Sequence, residues 1–142
     1  AVSIALINAT FDKQTKQQVL IQSDDSSVLS RFKDIPSYKR VMLLNDKMGD
    51  VPKQAVEEIK KHADAVNLPK TSILKISDAI LVGMTSVVQE LKDANLTVFV
   101  HSLKNEYTTL AFDYWSDPYV EIATYIQIAK VDGIVTDFPA TA

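Results

Sequence analysis

Polar side chains that could bind a ligand or move a proton lie at the ends of short apolar segments in this sequence. They are Gln22, Ser23, Asp24, Asn45, Asn67, His101, Asn105, Glu106 and Asp137. In proteins with parallel sheets, the working residues sit where the strands end at their carboxyl side. We therefore predict a ligand-binding rim at that edge. The residues predicted to line it are Gln22, Ser23, His101, Asn105 and Asp137. For each of them, helix capping or another structural role is the competing interpretation.

The elements that would position this rim follow from the apolar pattern. Short apolar segments alternate with longer amphipathic ones, which predicts an α/β fold with a parallel sheet. The predicted strands are residues 18–22, 40–44, 65–68, 97–103 and 133–136. Helices are predicted to begin at Asp24 or Asp25, near Pro52, and at Ser77 or Asp78. In the third helix we predict an apolar stripe of Ile80, Leu81, Met84, Val87, Val88 and Leu91. Residues 1–10 lack a cap, so the chain is expected to begin within a helix.

Composition excludes several classes of function. The net charge is −3 and the basic residues are scattered, so the sequence has no electrostatic footprint for nucleic acid. The sequence contains no cysteine, which excludes a disulfide scaffold, a thiolate zinc site and a cysteine nucleophile. Glycine-rich phosphate loops, H-E-x-x-H, G-x-S-x-G and EF-hand patterns are also absent. No segment approaches the length of about 20 apolar residues that a membrane helix needs.

Two local patterns leave alternatives open. Asp24 and Asp25 could hold a metal or accept a phosphoryl group, but a helix cap is the favoured interpretation. His101 follows Thr97 and Phe99 on one strand face, so it points either inward, where it could contact a phosphate, or toward the helices. A hydrogen-bonded core histidine is the favoured interpretation. The aromatic residues near Trp115 form either a ligand platform or an anchor for their loop.

The closing segment VDGIVTDFPATA, residues 131–142, resembles the last strand and following loop of glycerophosphodiester phosphodiesterases. The segments HSLKNEY (101–107) and DYWSDPYVEI (113–122) resemble, in the same order, those of the plant glycerophosphodiesterase-like subgroup. VLIQSDDSSVLSRF (19–32) is similar to the family's fourth strand and helix. The resemblance covers most of the chain. It implies that residues 1–142 are a single unit, the C-terminal part of a (β/α) TIM barrel with about five units, strands four to eight.

The resemblance also implies an activity for the intact parent protein. That parent would hydrolyse glycerophosphodiesters to glycerol phosphate and an alcohol, using a divalent cation such as Ca²⁺ or Mg²⁺. The family's catalytic histidines and metal ligands lie on the first three strands, in HRG, E-x-D and HD motifs, and none of these occurs here. We therefore expect this chain alone to be inactive, with no catalytic residue, metal site or cofactor of its own. Its expected partners are the missing N-terminal half of the barrel, or a second copy that covers the sheet edges, and a small phosphodiester substrate.

Two further alternatives remain at this point. One is a complete small α/β binding or regulatory domain with a doubly wound, flavodoxin-like sheet, which strand order would distinguish from a barrel. The other is a non-catalytic protein associated with the cell wall. The sequons at Asn8 and Asn95 favour a secretory route weakly. The resemblance implies a parent that is secreted or held at the outer face of the plasma membrane, with a lipid anchor in the anchored members.

Overall fold

The computed structural model describes residues 19–46, 53–106 and 110–141. Within them the strands, in chain order, are β1 (Val19–Ser23), β2 (Tyr38–Leu43), β3 (Ala65–Pro69), β4 (Leu74–Ser77), β5 (Ile80–Met84), β6 (Thr97–Leu103) and β7 (Gly133–Thr136). The five predicted strands are confirmed as β1, β2, β3, β6 and β7, with boundaries shifted by one or two residues at most. The prediction that the chain begins within a helix falls on residues 1–10, which lie outside the described part.

The main sheet is parallel throughout, and its strands follow one another in sequence order. The order is β1-β2-β3-β6-β7. A flavodoxin-like sheet would place its first two strands in the opposite order, because its chain winds outward in two directions. The doubly wound alternative therefore disagrees with the structure. Sequential parallel strands are the arrangement of a (β/α) barrel, here an open part of one.

The described helices are α1 (Ser26–Ser30), α2 (Lys53–His62), α3 (Lys70–Ile73), α4 (Val87–Asp93) and α5 (Pro118–Ala123). A 3₁₀ turn occupies Phe112–Tyr114, and a π-helical turn at Thr124–Ile128 continues α5. Helix α1 packs against α2, and α2 packs against α4. Since right-handed crossovers between sequential parallel strands place every helix on the same side, this helix layer is the outer layer of a barrel. None of the helices in the described ranges is long and apolar enough to span a membrane.

The two faces of the main sheet differ in what covers them. On the outer face, strand residues are buried beneath the helices; examples are Met42 with Leu29 of α1 and Val98 with Leu91 of α4. The opposite face, which we call the inner face, carries Leu20, Gln22, Lys39, Val41, Leu43, Ala65, Asn67, Pro69, Thr97, Phe99, His101, Gly133 and Val135. Its central residues are buried, whereas Leu20 and Val135 on the two edge strands are 46% and 45% exposed. The inner face is therefore open toward both edges.

The hairpin β4–β5 corrects one prediction. The third helix was predicted to begin at Ser77 or Asp78 and to include Ile80, Leu81 and Met84, but these residues form an antiparallel pair of strands. Asp78 and Ala79 make its two-residue turn, with φ values of 50° and 61°. Both residues then have the left-handed conformation that such hairpin turns require. The rest of the prediction is confirmed, because Val87, Val88 and Leu91 are buried on α4.

The inner face has room only for a glycine at position 133. Gly133 pairs with Phe99 across β6 and β7, and a Cβ at this position would lie 2.7 Å from Cδ1 and 2.8 Å from Cε1 of that ring. We expect Gly133→Ala to lower the free energy of unfolding by about 1–3 kcal/mol, because the ring must leave its rotamer or push β7 away. Chemical denaturation measures this loss.

Gly83→Ala is the matched control for Gly133→Ala. Nothing lies within 4 Å of a Cβ at Gly83 on the hairpin, so the change there should stay within about 0.5 kcal/mol. Adding Phe99→Leu to Gly133→Ala should recover part of the loss. Equal effects of the two glycine substitutions would contradict the close packing of Gly133 against Phe99.

Arg40 and Asp64 tie β2 to the residue before β3 at the opposite end of the sheet from the predicted rim. The guanidinium donates from Nε and Nη2 to the two carboxylate oxygens over 3.0 and 2.8 Å. The backbone N–H of Arg40 donates to the same carboxylate. The Arg40 guanidinium lowers the pKa of Asp64 from its usual range. This end of a barrel usually contributes to stability rather than to catalysis.

Asp64→Asn is expected to cost about 1 kcal/mol at neutral pH, a modest value because the carboxylate is 42% exposed and screened by solvent. A carboxylate whose folded-state pKa is lowered adds stability above its unfolded pKa of about 3.9 and loses it as pH falls through the folded value. The difference between the wild-type chain and the variant should therefore vanish in acid. Urea denaturation at neutral and acidic pH measures it, with the exposed substitution Asp93→Asn as the control. A difference that persisted at low pH would contradict an ionic origin.

Candidate functional site at the carboxyl edge of the sheet

Gln22, Asn67 and His101 lie on the inner face near the carboxyl ends of their strands, and the first two are hydrogen-bonded to each other. The Asn67 amide donates from Nδ2 to Gln22 Oε1 over 2.9 Å. His101 Nε2 lies 3.1 Å from the carbonyl oxygen of Leu44. Each contact reaches over one intervening strand of the parallel sheet. Such contacts require a sheet that curls toward its inner face, as the wall of a barrel does.

Asn67 carries the least satisfied polar group of this edge. Its side chain is 1% exposed, and the register of β2, β3 and β6 places it between Leu43 and Phe99. The amide nitrogen bonds Gln22, but the Oδ1 oxygen is buried and has no hydrogen-bond partner among residues 19–46, 53–106 and 110–141. A buried acceptor without a donor is costly, about 1–3 kcal/mol, so a donor from water or from a ligand would stabilise this site. The sequence placed Asn67 among the polar residues at strand ends, but it was not one of the five residues predicted to line the rim.

His101 is held through both ring nitrogens. Because a carbonyl oxygen only accepts, Nε2 must carry the proton that it shares with Leu44. Nδ1 lies 3.2 Å from the Ser102 hydroxyl, which donates to it when the ring is neutral. The ring lies on the inner face, half-buried, and is fully partnered by protein groups. This geometry agrees with the favoured interpretation of a hydrogen-bonded histidine, and it leaves the histidine's contact with a phosphate as a prediction.

Two of the other three predicted rim residues take local structural roles in the described chain. The Ser23 hydroxyl accepts a hydrogen bond from the Asp25 backbone N–H over 3.1 Å. Asn105 donates from Nδ2 to the Thr141 hydroxyl and ties the end of β6 to the segment after β7. Asp137 is exposed in the turn that follows β7. Whether any of these residues touches a ligand stays a prediction.

Asp25 is a helix cap, as the favoured interpretation of the acidic pair has it. Its carboxylate accepts from the Ser27 backbone N–H over 2.8 Å at the start of α1. A hydrogen bond with the Ser27 side chain, together with the one from its backbone N–H, lowers the pKa of Asp25 below its usual range. Asp24 is exposed beside it. The pair therefore has the geometry of a capped helix start.

The aromatic residues of the loop after β6 divide between the two interpretations offered for them. Tyr114 is buried and anchors the loop in the main core. Trp115 is 88% exposed, and Tyr119 is exposed as well. The hairpin holds this loop through two hydrogen bonds: the Phe112 N–H donates to the Ala79 carbonyl, and the Leu81 N–H donates to the Asp113 carboxylate. Tyr114 therefore anchors the loop, whereas anchoring does not explain the exposed side chain of Trp115.

A buried ion pair below this loop was not found from the sequence. Lys70 Nζ, just after β3, lies 3.1 Å from Glu121 Oε1 on α5, and the two side chains are 17% and 1% exposed. The Tyr125 hydroxyl donates to the Lys70 carbonyl over 3.4 Å. Burial raises the pKa of Glu121, and the Lys70 ammonium opposes that rise. Burial likewise raises the pKa of Tyr125 and of Tyr114. The pair fixes α5 against the end of β3.

The described side chains do not form a metal site. No group of three His, Cys, Asp or Glu side chains that could hold an ion occurs within residues 19–46, 53–106 and 110–141. At the carboxyl edge the converging groups are two carboxamides and a histidine whose nitrogens are already bonded. A divalent cation prefers carboxylate oxygens. The described residues at this edge therefore do not provide a ligand set for a divalent cation.

Comparison with known proteins decides what this partial barrel belongs to. A model of the glycerophosphoryl diester phosphodiesterase family matches residues 2–141. The chain belongs to this family. Membership implies a TIM-barrel-type fold, with which the sequential parallel sheet agrees, and it confirms the family resemblance seen in the sequence motifs.

Its relatives include several much longer plant proteins. The chain is 55% identical over 141 residues to glycerophosphodiester phosphodiesterase GDPDL6 of Arabidopsis thaliana, and this match covers 99% of the chain and 19% of that protein. It is 51% identical to GDPDL7 and 41% identical to GDPDL1 of the same plant, over 100% and 90% of the chain and 19% and 17% of those proteins. This phosphodiesterase-family chain thus spans about a fifth of the length of these curated relatives.

The two sequons differ in what the structure describes. Asn8 lies outside the described residues. Asn95 is exposed in the turn after α4, with a φ of 61°. Its side chain borders a shallow depression with Lys92, Thr97 and Asp132. An acceptor in an exposed turn is accessible to a glycan.

Proposed function

We propose that this chain is strands four to eight of a glycerophosphodiester phosphodiesterase barrel and forms part of its substrate rim. The observation that carries the proposal is the family match over residues 2–141. The open inner face supports it, because Leu20 and Val135 on the edge strands are the side chains that further barrel strands would cover. The first three strands would then come from a segment outside this chain.

The intact parent would hydrolyse a glycerophosphodiester to glycerol phosphate and an alcohol. In this proposal, the acid–base groups and the ligands of a divalent cation belong to the segment that supplies the first three strands. The described residues of this chain contribute neutral hydrogen-bonding groups, Gln22 and Asn67, at the carboxyl edge. The chain alone is then inactive. An extracellular parent, glycosylated at Asn95 and held at the outer face of the plasma membrane or released from it, is part of the same proposal.

The test compares hydrolysis by the longer protein that contains this chain with hydrolysis by the chain alone. Phosphorus NMR follows the release of glycerol phosphate from a glycerophosphodiester in the presence of Ca²⁺ or Mg²⁺. The proposal expects turnover by the longer protein and none by the chain alone. Absence of turnover by the folded longer protein, with each cation, would contradict the enzymatic proposal and favour a non-catalytic role in the cell wall.

A further inference from the structure

We propose that the carboxamides of Gln22 and Asn67 form a binding subsite for a hydroxyl group, and that they recognise the glycerol part of the substrate. This inference rests on the proposed function, since glycerol is the part common to glycerophosphodiesters. It starts from one observation that the fold does not explain. The Asn67 side chain is 1% exposed on the inner face, and its Oδ1 oxygen has no hydrogen-bond partner in the part of the chain that the structure describes.

The chemistry of the subsite follows from the single bond within the pair. Asn67 Nδ2 donates to Gln22 Oε1, which leaves Asn67 Oδ1 as an acceptor and the Gln22 amide nitrogen as a donor. If both amides were turned over, the nitrogen of Asn67 and the oxygen of Gln22 would be left instead. In either orientation the pair leaves one carbonyl oxygen as an acceptor and one amide nitrogen, with two N–H groups, as a donor. A hydroxyl group, which donates one hydrogen bond and accepts others, fits that combination.

The same pair fits a phosphate poorly. Both carboxamides are neutral, and a fully ionised phosphate has no proton to give to a buried acceptor. The imidazole of His101 lies on the same face, but both of its nitrogens are already hydrogen-bonded to protein groups. Gln22 is exposed, so the pair is open from its side while Asn67 is enclosed between neighbouring strands. The geometry therefore assigns to this pair the neutral, hydroxyl-bearing part of a ligand.

Two probe molecules separate hydroxyl recognition from phosphate recognition. Glycerol 3-phosphate and propyl phosphate have the same phosphate group and the same three-carbon chain, but propyl phosphate lacks the hydroxyls. Isothermal titration calorimetry on the longer protein should show about 10- to 100-fold tighter binding of glycerol 3-phosphate, because propyl phosphate leaves the buried acceptor unpaired. Gln22→Met and Asn67→Leu should remove that preference while leaving the affinity for propyl phosphate within about twofold.

Gln22→Met keeps the test valid if the buried substitution Asn67→Leu prevents folding, because Gln22 is exposed. Gln89→Met is the matched control, since Gln89 is an exposed glutamine that bonds Asp93 on α4. It should keep the full preference for glycerol 3-phosphate. A preference that survived in Gln22→Met would overturn the subsite.

The outcomes also separate the subsite from the proposed function. If the longer protein hydrolyses glycerophosphodiesters but binds the two probes equally, the subsite is wrong and the proposed function stands. If it neither hydrolyses them nor binds either probe, the proposed function fails and the subsite fails with it.

Discussion

Lys70→Met is expected to lower the free energy of unfolding by about 3–5 kcal/mol at neutral pH, because it leaves the Glu121 carboxylate without its cation in a buried position. The Glu121 side chain is 1% exposed, and its second oxygen already lacks a hydrogen-bond partner among the described residues. A methionine fills the space of the lysine chain but supplies neither charge nor donor. Urea denaturation of the wild-type chain and the variant measures the loss.

The loss of unfolding free energy caused by Lys70→Met should become smaller in acid. Burial raises the folded-state pKa of Glu121 above the unfolded value of about 4.3, and removing Lys70 takes away the interaction that opposes this rise. A group with a raised folded pKa adds stability that is fully present below its unfolded pKa and is lost as pH rises through the folded value. Near pH 4 the carboxyl is therefore neutral and tolerates its surroundings. As pH rises, the free energy of unfolding should therefore fall more steeply in the variant than in the wild-type chain.

Two further variants control the experiment on Lys70. Lys61→Met makes the same substitution in the Lys61–Glu58 pair on α2, whose side chains are 65% and 61% exposed, and should leave the free energy of unfolding nearly unchanged because solvent screens this pair. The double variant Lys70→Met with Glu121→Leu should recover much of the loss, because no buried charge remains. If Lys70→Met cost no more than Lys61→Met, the buried pair would not hold α5 against β3 as we describe.

Val135→Lys is expected to reduce the activity of the longer protein by at least about 100-fold while changing the stability of this chain alone by less than about 1 kcal/mol. Val135 lies on the inner face of the edge strand β7 and is 45% exposed in this chain. In a closed barrel the same side chain would be buried, and an unpaired ammonium there would oppose closure. Turnover of a glycerophosphodiester and denaturation of the chain alone measure the two effects.

Val82→Lys is the matched control for Val135→Lys, since Val82 is 63% exposed and belongs to the separate two-stranded hairpin rather than to the main sheet. It should leave both measurements nearly unchanged. Equal losses of activity for the two variants, or none for either, would show that β7 is not covered in the longer protein.

The strands of the main sheet were predictable from the sequence, and the hairpin was not. The main strands are short apolar segments between amphipathic ones, so their pattern reflects burial directly. In residues 77–84 the hairpin depends on the left-handed conformations of Asp78 and Ala79, and this pair lacks the glycine that usually marks such a turn. In the sequence, the apolar residues of the hairpin and those of α4 follow one another at a spacing that resembles the apolar stripe of a single helix.

The candidate site was predictable in position but not in its contacts. Alternation along a parallel strand places Gln22, Asn67 and His101 at the carboxyl edge. It does not reveal that Asn67 bonds Gln22 across a strand, because that contact depends on the curl of the sheet. The Lys70–Glu121 pair joins residues distant in sequence, one after a strand and one on a helix. Sequence spacing carries no signal for such a pair.

Hydrogen exchange at the edge strands tests most directly whether this chain is part of a larger barrel. In this chain alone, the outward-facing backbone N–H groups of β1 and β7 have no strand beside them in the described sheet. Our account predicts fast exchange there in the chain alone and strong protection of the same amides in the longer protein, where neighbouring strands would bond them. Equal exchange at β1 and β7 in the two proteins would contradict it.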